Sequence, residues 1–213
     1  MGRDWPAGVV GCVACGECLF AVRVADDAGG GKLWIDEGDG GMAKAAKVQK
    51  TNAMRELDRA GVAYCVHTYK DDGEHARGLG VAISQQLGED PRRGFKTLVA
   101  LDPSGSPVVC CVPVAAEIDF KAAARAVGVK SLAMLPTKEL TATTGYVRGG
   151  VSPVGMRKRF PVVIDASCMA FDRIYISGGR CGVQLELAPH DLIAQTKAIV
   201  APVVHAPQEG LQS

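Results

Sequence analysis

The pattern of apolar and polar positions becomes regular only from about residue 43, and from there it predicts a series of short elements. Thr51 is placed to cap a helix running to Arg59, with Gly61 ending it. Val62 to Tyr69 alternates at period two, as a strand does. Leu79, Ala82, Ile83, Gln86 and Leu87 fall at helical spacing, and Gly88 stops that helix. Phe95–Leu101 and Pro107–Val114 read as strands joined by the turn residues Asp102-Pro103-Ser104-Gly105. Asp119 caps a helix to Val127, closed by Gly128, and a short helix begins at Thr137. Strands are predicted over Pro161–Asp165, Arg173–Ser177 and Val183–Leu187, then a helix from Pro189 to about Val200. Hairpin-joined strands mixed with separated helices define an α+β domain with a curved mixed sheet.

The ends of the chain have different texture. Ten of the 26 glycines fall in the first 42 residues, where few large side chains offset the entropy of ordering such a backbone. Residues 1–43 are read as a Gly- and Cys-containing extension of disordered composition, residues 44–202 as the domain, and 203–213 as a tail. No segment near the N-terminus has the order of a secretory leader, and no apolar run approaches a membrane span.

With 213 residues, 47% of them hydrophobic, the chain can bury one good core. Its 24 basic and 23 acidic residues exclude a generally basic nucleic-acid coat and leave room for a local basic patch. Of eight cysteines, Cys65, Cys110 and Cys111 lie in strand-like apolar text and read as small buried hydrophobes. Cys12, Cys15 and Cys18 have metal-ligand spacing but stand one ligand short, since no His precedes His67 and Val22 replaces the next expected Cys. No metal or other cofactor is expected.

The usual catalytic signatures fail. Ser152 is not a nucleophile elbow, because Val154 stands where glycine is needed, and the four histidines are scattered. Three segments nevertheless carry chemistry. Lys96-Thr97 interrupts an apolar strand, and its Lys either snorkels outward or faces a pocket as a fixed charge. Thr144 to Gly155 is glycine-rich, so backbone N–H groups there can approach an anion or a polarised carbonyl. Arg148 with Arg157, Lys158 and Arg159 gives a local charge of +4, as no acidic residue lies between Leu140 and Ile164. Such charges make either a phosphate-contacting edge or a solvated face. Ile176 to Gly182 is a strand running into a glycine turn, where Ser177 and turn amides can hold a polar group or simply close a hairpin.

Together these segments resemble the YbaK/EbsC family of aminoacyl-tRNA deacylases, relatives of the editing domain of prolyl-tRNA synthetases. The resemblance rests on His67-Thr68-Tyr69, Phe95-Lys96-Thr97-Leu98, Thr144-Gly145-Tyr146, Gly149 to Gly155, Arg157 to Pro161, Ile164-Asp165 and Ile174 to Gly182, in order and register over about Thr51 to Val200. It implies a single compact domain with a pseudo-barrel mixed sheet and flanking helices. It implies cytoplasmic clearance of mischarged tRNA, typically Cys-tRNA(Pro), with Cys-tRNA(Cys) as a related substrate. Lys96 then stands at the central active-site position, with Tyr69, Thr97, Gly149 and Ser177 lining the pocket.

An aminoacyl ester carries an activated carbonyl, and a cysteinyl thiol is a nucleophile the substrate supplies itself. That route needs only positioning and an oxyanion contact, for which the N–H groups of Gly149 and Gly150 are the candidates. Ser152, Gly178 and Gln184 complete the expected substrate contacts, and Arg148, Arg157, Lys158 and Arg159 the tRNA phosphate contacts. The expected partner is the acceptor end of tRNA(Pro), with prolyl-tRNA synthetase as a protein partner. Leu79 and Gln184 depart from the family's commoner Phe and Asp, and both bear on amino-acid selectivity. Two other readings remain open at this point: an Ala-tRNA(Pro) hydrolase using a positioned water, and a non-catalytic module holding tRNA ends.

Overall fold

The computed structural model describes residues 9–10, 20–25, 32–37, 49–70 and 78–205. Strands β1 (Val9–Val10), β2 (Phe20–Ala25) and β3 (Lys32–Glu37) form an antiparallel sheet of their own in the N-terminal extension. Cys12, Cys15 and Cys18 lie outside the described residues.

Helix α1 (Asn52–Arg59) is capped as expected, the Thr51 hydroxyl accepting from Met54 N–H at 3.2 Å. It leads to β4 (Tyr64–Thr68), then α2 (Leu79–Leu87), closed by Gly88. A single 3₁₀ turn, Pro91–Arg93, precedes β5 (Phe95–Leu101), which pairs antiparallel with β6 (Pro107–Pro113). Asp119 caps α3 (Phe120–Val127), and the two-residue β7 (Ala133–Met134) edges the sheet before α4 (Thr137–Thr144). Then come β8 (Val162–Asp165), a 3₁₀ segment Ala166–Ala170, β9 (Ile174–Ser177) and β10 (Val183–Leu187).

The last predicted helix is shorter than its sequence suggests. Helix α5 covers Pro189–Thr196, Lys197 turns left-handed at φ 54°, and Ile199–Ala201 becomes β11, parallel to β8. β-Branched Ile199 and Val200 favour the strand once the helix has been broken. The chain also stays packed beyond the expected boundary at residue 203. Val203 is buried and donates to Asp165 Oδ2 at 2.8 Å, and Val204 bridges Ile118. Two apolar residues in a row, Val203-Val204, were the available signal.

The sheets run β4-β10-β9 and β11-β8-β6-β5-β7. A parallel bridge from Gly94 to Tyr175 sets β9 beside the start of β5, closing the two sheets into a pseudo-barrel. Strand β6 explains the longest apolar run: Val109 and Cys111 face a core shared with α1, α5 and β8–β10, while Val108, Cys110 and Val112 face α3. A strand covered on both sides has no polar alternation to show. A third, smaller cluster, Val99, Leu135, Tyr146 and Val151, anchors the glycine-rich loop.

Candidate functional site

The site is built where the ends of β9 and β10 meet the glycine-rich loop. Strand β10 is central: Gln184 pairs with Ser177 on one side and His67 on the other. Lys96 and Ser177 each stand two residues beyond the Gly94–Tyr175 bridge, so the outward face carries Lys96, Ser177, Gln184 and His67 across four strands. The glycine turn 178–182 closes over the end of this row. Gly178 N–H donates to Val183 O at 2.9 Å, Ser177 Oγ accepts from Gly179 N–H at 3.3 Å, and Tyr69 N–H donates to Gly182 O at 3.1 Å.

The glycine-rich loop packs directly on that turn. A Cβ on Gly150 would lie 2.8 Å from Arg180 Cα and 2.9 Å from Arg180 C, so two backbones approach there and only glycine fits. Cys181 Sγ donates to Arg148 O at 3.5 Å, and the buried Tyr146 hydroxyl donates to Val154 O at 2.7 Å. The far end of the loop is tied to α1, where Gly155 N–H donates to Glu56 Oε2 at 2.9 Å.

Lys96 is half-buried, and its ammonium donates to Val114 O at 3.1 Å and Ala116 O at 2.7 Å. Burial lowers its pKa below the usual lysine value, while Glu117 pulls the other way. Two carbonyls thus fix the charge at the site edge and leave one N–H of the three for a ligand. Thr97, on the opposite face of β5, lies beside the Cys111 thiol and points inward, not beside Lys96 as their sequence adjacency suggests.

Two expected contacts are spent within the loop itself. Ser152 is fully buried and its Oγ accepts from Val154 N–H at 3.4 Å, which ties it to the loop. Gly150 N–H donates to Val147 O at 3.0 Å, closing a turn in which Gly149 takes φ 85°. That donor is therefore occupied, and Gly149 is the remaining candidate for an oxyanion. The basic residues also separate. Arg148 stands exposed at the glycine turn, and the Arg157 stem lies over Gly145. Lys158 and Arg159 border α1, with Arg159 3.8 Å from Glu56. Arg180, absent from the expected set, joins Arg148 at the turn. Its signal was its place in Gly178-Gly179-Arg180-Cys181-Gly182.

Sequence reasoning also missed a buried charge cluster beside the row, on the same face of the sheet. Glu186 Oε2 accepts from His67 Nε2 at 3.0 Å, and Oε1 takes Arg93 Nη2 at 2.9 Å and Arg173 Nε at 3.5 Å. Burial alone would raise the Glu186 carboxyl, but the His67 hydrogen bond and the charges of His67, Arg173 and Arg93 hold it below the usual range. A glutamate between Leu185 and Leu187 was the visible clue.

Three of the buried thiols are held in their unreactive, protonated form. Burial pushes Cys110 and Cys111 up to about 12 and Cys168 up to about 11. Cys110, Cys111 and Cys168 form no disulfide.

Fold and site define a small α+β domain whose polar edge joins two glycine turns to a fixed, half-buried lysine. The family model described as "Aminoacyl-tRNA editing domain" matches residues 74–194. An Enterococcus faecalis (strain ATCC 700802 / V583) protein named "Putative Cys-tRNA(Pro)/Cys-tRNA(Cys) deacylase EbsC" is 40% identical over 162 residues, covering 76% of this chain and 98% of that protein. Among solved structures, one titled as that of "a putative trans-editing enzyme for prolyl tRNA synthetase" aligns with TM-score 0.64 at 23% identity, over 73% of this chain and 96% of its own. The crystal structure of a hypothetical protein aligns with TM-score 0.66 at 22% identity, over 73% and 100%. At those identities the two structures establish the shared fold. The chain belongs to the aminoacyl-tRNA editing family, in its YbaK/EbsC branch, and its substrate class is aminoacyl-tRNA. No described helix is long and apolar enough to cross a membrane.

Proposed function

We propose that this protein is a cytoplasmic trans-editing deacylase that clears cysteine from tRNA(Pro), in concert with prolyl-tRNA synthetase, and that also accepts Cys-tRNA(Cys). The observation that carries this reading is the 40% identity to the Enterococcus faecalis protein over 98% of that protein's length. The state of the side chains around the polar edge supports a nucleophile brought by the substrate. Ser177 and Ser152 hydroxyls are engaged with their own turns, Cys181 Sγ with Arg148 O, and His67 Nε2 with Glu186.

In this mechanism the ribose ester of the terminal adenosine lies along the Ser177–Gly178 turn. Lys96 fixes the ribose or phosphate of that adenosine with its remaining N–H, and Tyr69 shapes the wall beside Gly182. The cysteinyl thiolate attacks its own ester carbonyl; the C–S bond forms as the C–O bond to ribose breaks, and the ribose oxygen takes up a proton. Gly149 N–H receives the developing oxyanion. Thr97, behind the Lys96 strand, sets the packing against Cys111 and does not touch substrate.

The product tests the route. Rapid acid quenching and mass spectrometry should show cysteine thiolactone before free cysteine accumulates. Free cysteine as the first product, with oxygen from labelled water, would replace the thiol by an enzyme-positioned water.

Arg148, Arg157, Lys158 and Arg159 are assigned to tRNA phosphates, with Arg159 partly diverted by Glu56. Replacing Arg157, Lys158 and Arg159 by Gln should flatten the plot of log affinity for tRNA against log salt by about 0.7–0.9 for each phosphate no longer neutralised. An unchanged slope would make the triplet a solvated face.

A further inference from the structure

Three buried acceptor oxygens around His67 lack a hydrogen-bond donor: Glu89 Oε1, Glu89 Oε2 and Gln184 Oε1. The Glu89 side chain is 5% exposed, and its Oε1 lies 3.8 Å from His67 Nδ1, at ion-pair rather than hydrogen-bond distance. Gln184 is 7% exposed and stands directly opposite His67 in the β4–β10 register. A buried acceptor left without a donor forfeits its hydrogen bond to water with nothing in return, so three of them on the residues beside one imidazole make sense if a donor arrives from outside.

The charges around the group say which donor. Glu186, on β10, is matched by two guanidinium groups, Arg93 from the 3₁₀ turn and Arg173 from the start of β9. Arg93 also lies over the Tyr175 ring at 4.9 Å, and that ring meets His67 edge-on at 5.4 Å. Helix α2, whose C-terminal turn holds Glu89 through Ser84 O, contributes no charged side chain. Asp90 is turned to Arg92 at the surface. Ionised, Glu89 adds a second carboxylate against the two guanidiniums; neutral, it leaves the group one positive charge higher. Burial pushes the Glu89 carboxyl up to about 7, opposed by His67 and Arg93 and assisted by Glu186, so this balance changes near neutral pH.

We propose that Glu89 and Gln184 form the seat for the α-ammonium group of the aminoacyl ester, with Gln184 Oε1 accepting its hydrogen bond and Glu89 supplying its countercharge beside His67. This rests on the deacylase reading and extends it, because that reading leaves the amino group unassigned. It also gives Gln184, an uncharged residue, a nearby carboxylate across His67 to complete its role. An ammonium ion is expelled by a surplus positive charge and admitted once Glu89 is ionised; a neutral acylated amine is indifferent to either state.

The test uses an uncleavable analogue, cysteine joined by an amide to 3′-amino-3′-deoxyadenosine, and its N-acetyl form, with calorimetric titration of full-length wild type and Glu89→Gln. At about pH 7.5 the substitution should weaken binding of the free-amine analogue about tenfold and leave the N-acetyl form within about twofold. At about pH 5.5, where Glu89 is itself protonated, wild type and variant should bind the free-amine analogue alike and melt at the same temperature. Equal losses for both analogues, no loss for either, or no binding of either by wild type would overturn the assignment. A wild type that binds as expected yet releases no amino acid from Cys-tRNA(Pro) would instead overturn the deacylase reading and leave this one standing.

Discussion

Lys96→Ala abolishes most of the deacylation of Cys-tRNA(Pro): a fall of about tenfold or more in kcat/KM, equivalent to at least roughly 1.4 kcal/mol of transition-state stabilisation, is the expected result. Two carbonyls, of Val114 and Ala116, hold the ammonium at the site edge. A positive charge already desolvated and fixed gives more to a phosphate or ribose oxygen than one that must be immobilised first. Lys96→Met separates charge from packing, since it keeps an unbranched stem of similar length. Both variants should retain a cooperative thermal transition, because Lys96 is only half-buried and its bonded carbonyls lie in a loop where water can replace the lysine. Turnover by Lys96→Met at the wild-type rate would remove the lysine from the chemistry.

Glu186→Ala is expected to have the largest effect on stability, a loss of about 3–5 kcal/mol read from denaturant unfolding. The carboxylate is 1% exposed and serves His67, Arg93 and Arg173 at once, so its removal strands two guanidiniums beside His67. Glu186→Gln, which keeps the acceptor oxygen and loses the charge, should cost less than the alanine variant. Equal costs for the two would mean that packing, not the charge network, holds this strand. Because Gln184 and Ser177 lie in the same register, the alanine variant should lose deacylation along with stability.

Much of the element order was legible because local signals agreed with the fold. Thr51 and Asp119 at helix starts, Gly88 and Gly128 at helix ends and Asp102 to Gly105 between strands all act through backbone chemistry that needs no tertiary partner. The end of α5 was not legible: Pro189 to Val200 reads as one amphipathic helix until the pairing of Ile199–Ala201 with β8 competes with it. Val203 and Val204 were assigned to a tail for the same reason, since their partners Asp165 and Ile118 are distant in sequence.

The site divides in the same way. Ser177, Gly178, Gly149 and Tyr69 were found as motif residues, and the structure gathers them at one turn. Whether a motif residue faces a ligand or the interior is a matter of strand side and turn closure, and these are what turn Thr97 toward Cys111 and tie Ser152 Oγ and Gly150 N–H to their own loop. The charges beside the row stayed hidden because Glu89, Arg93, Arg173 and Glu186 come from three separate segments. Only the register of β4, β9 and β10 brings them to one imidazole.

The central claim is that the substrate's own thiol opens the ester. Ester loss from tRNA(Pro) charged with cysteine, alanine or serine, followed side by side at equal enzyme concentration, tests it most directly. The account predicts rapid loss of cysteine with alanine and serine retained, because neither a methyl nor a hydroxyl can stand in for a thiolate. Loss of alanine at a rate equal to or above that of cysteine would contradict it, since an alanyl ester can be opened only by a water that the protein itself positions.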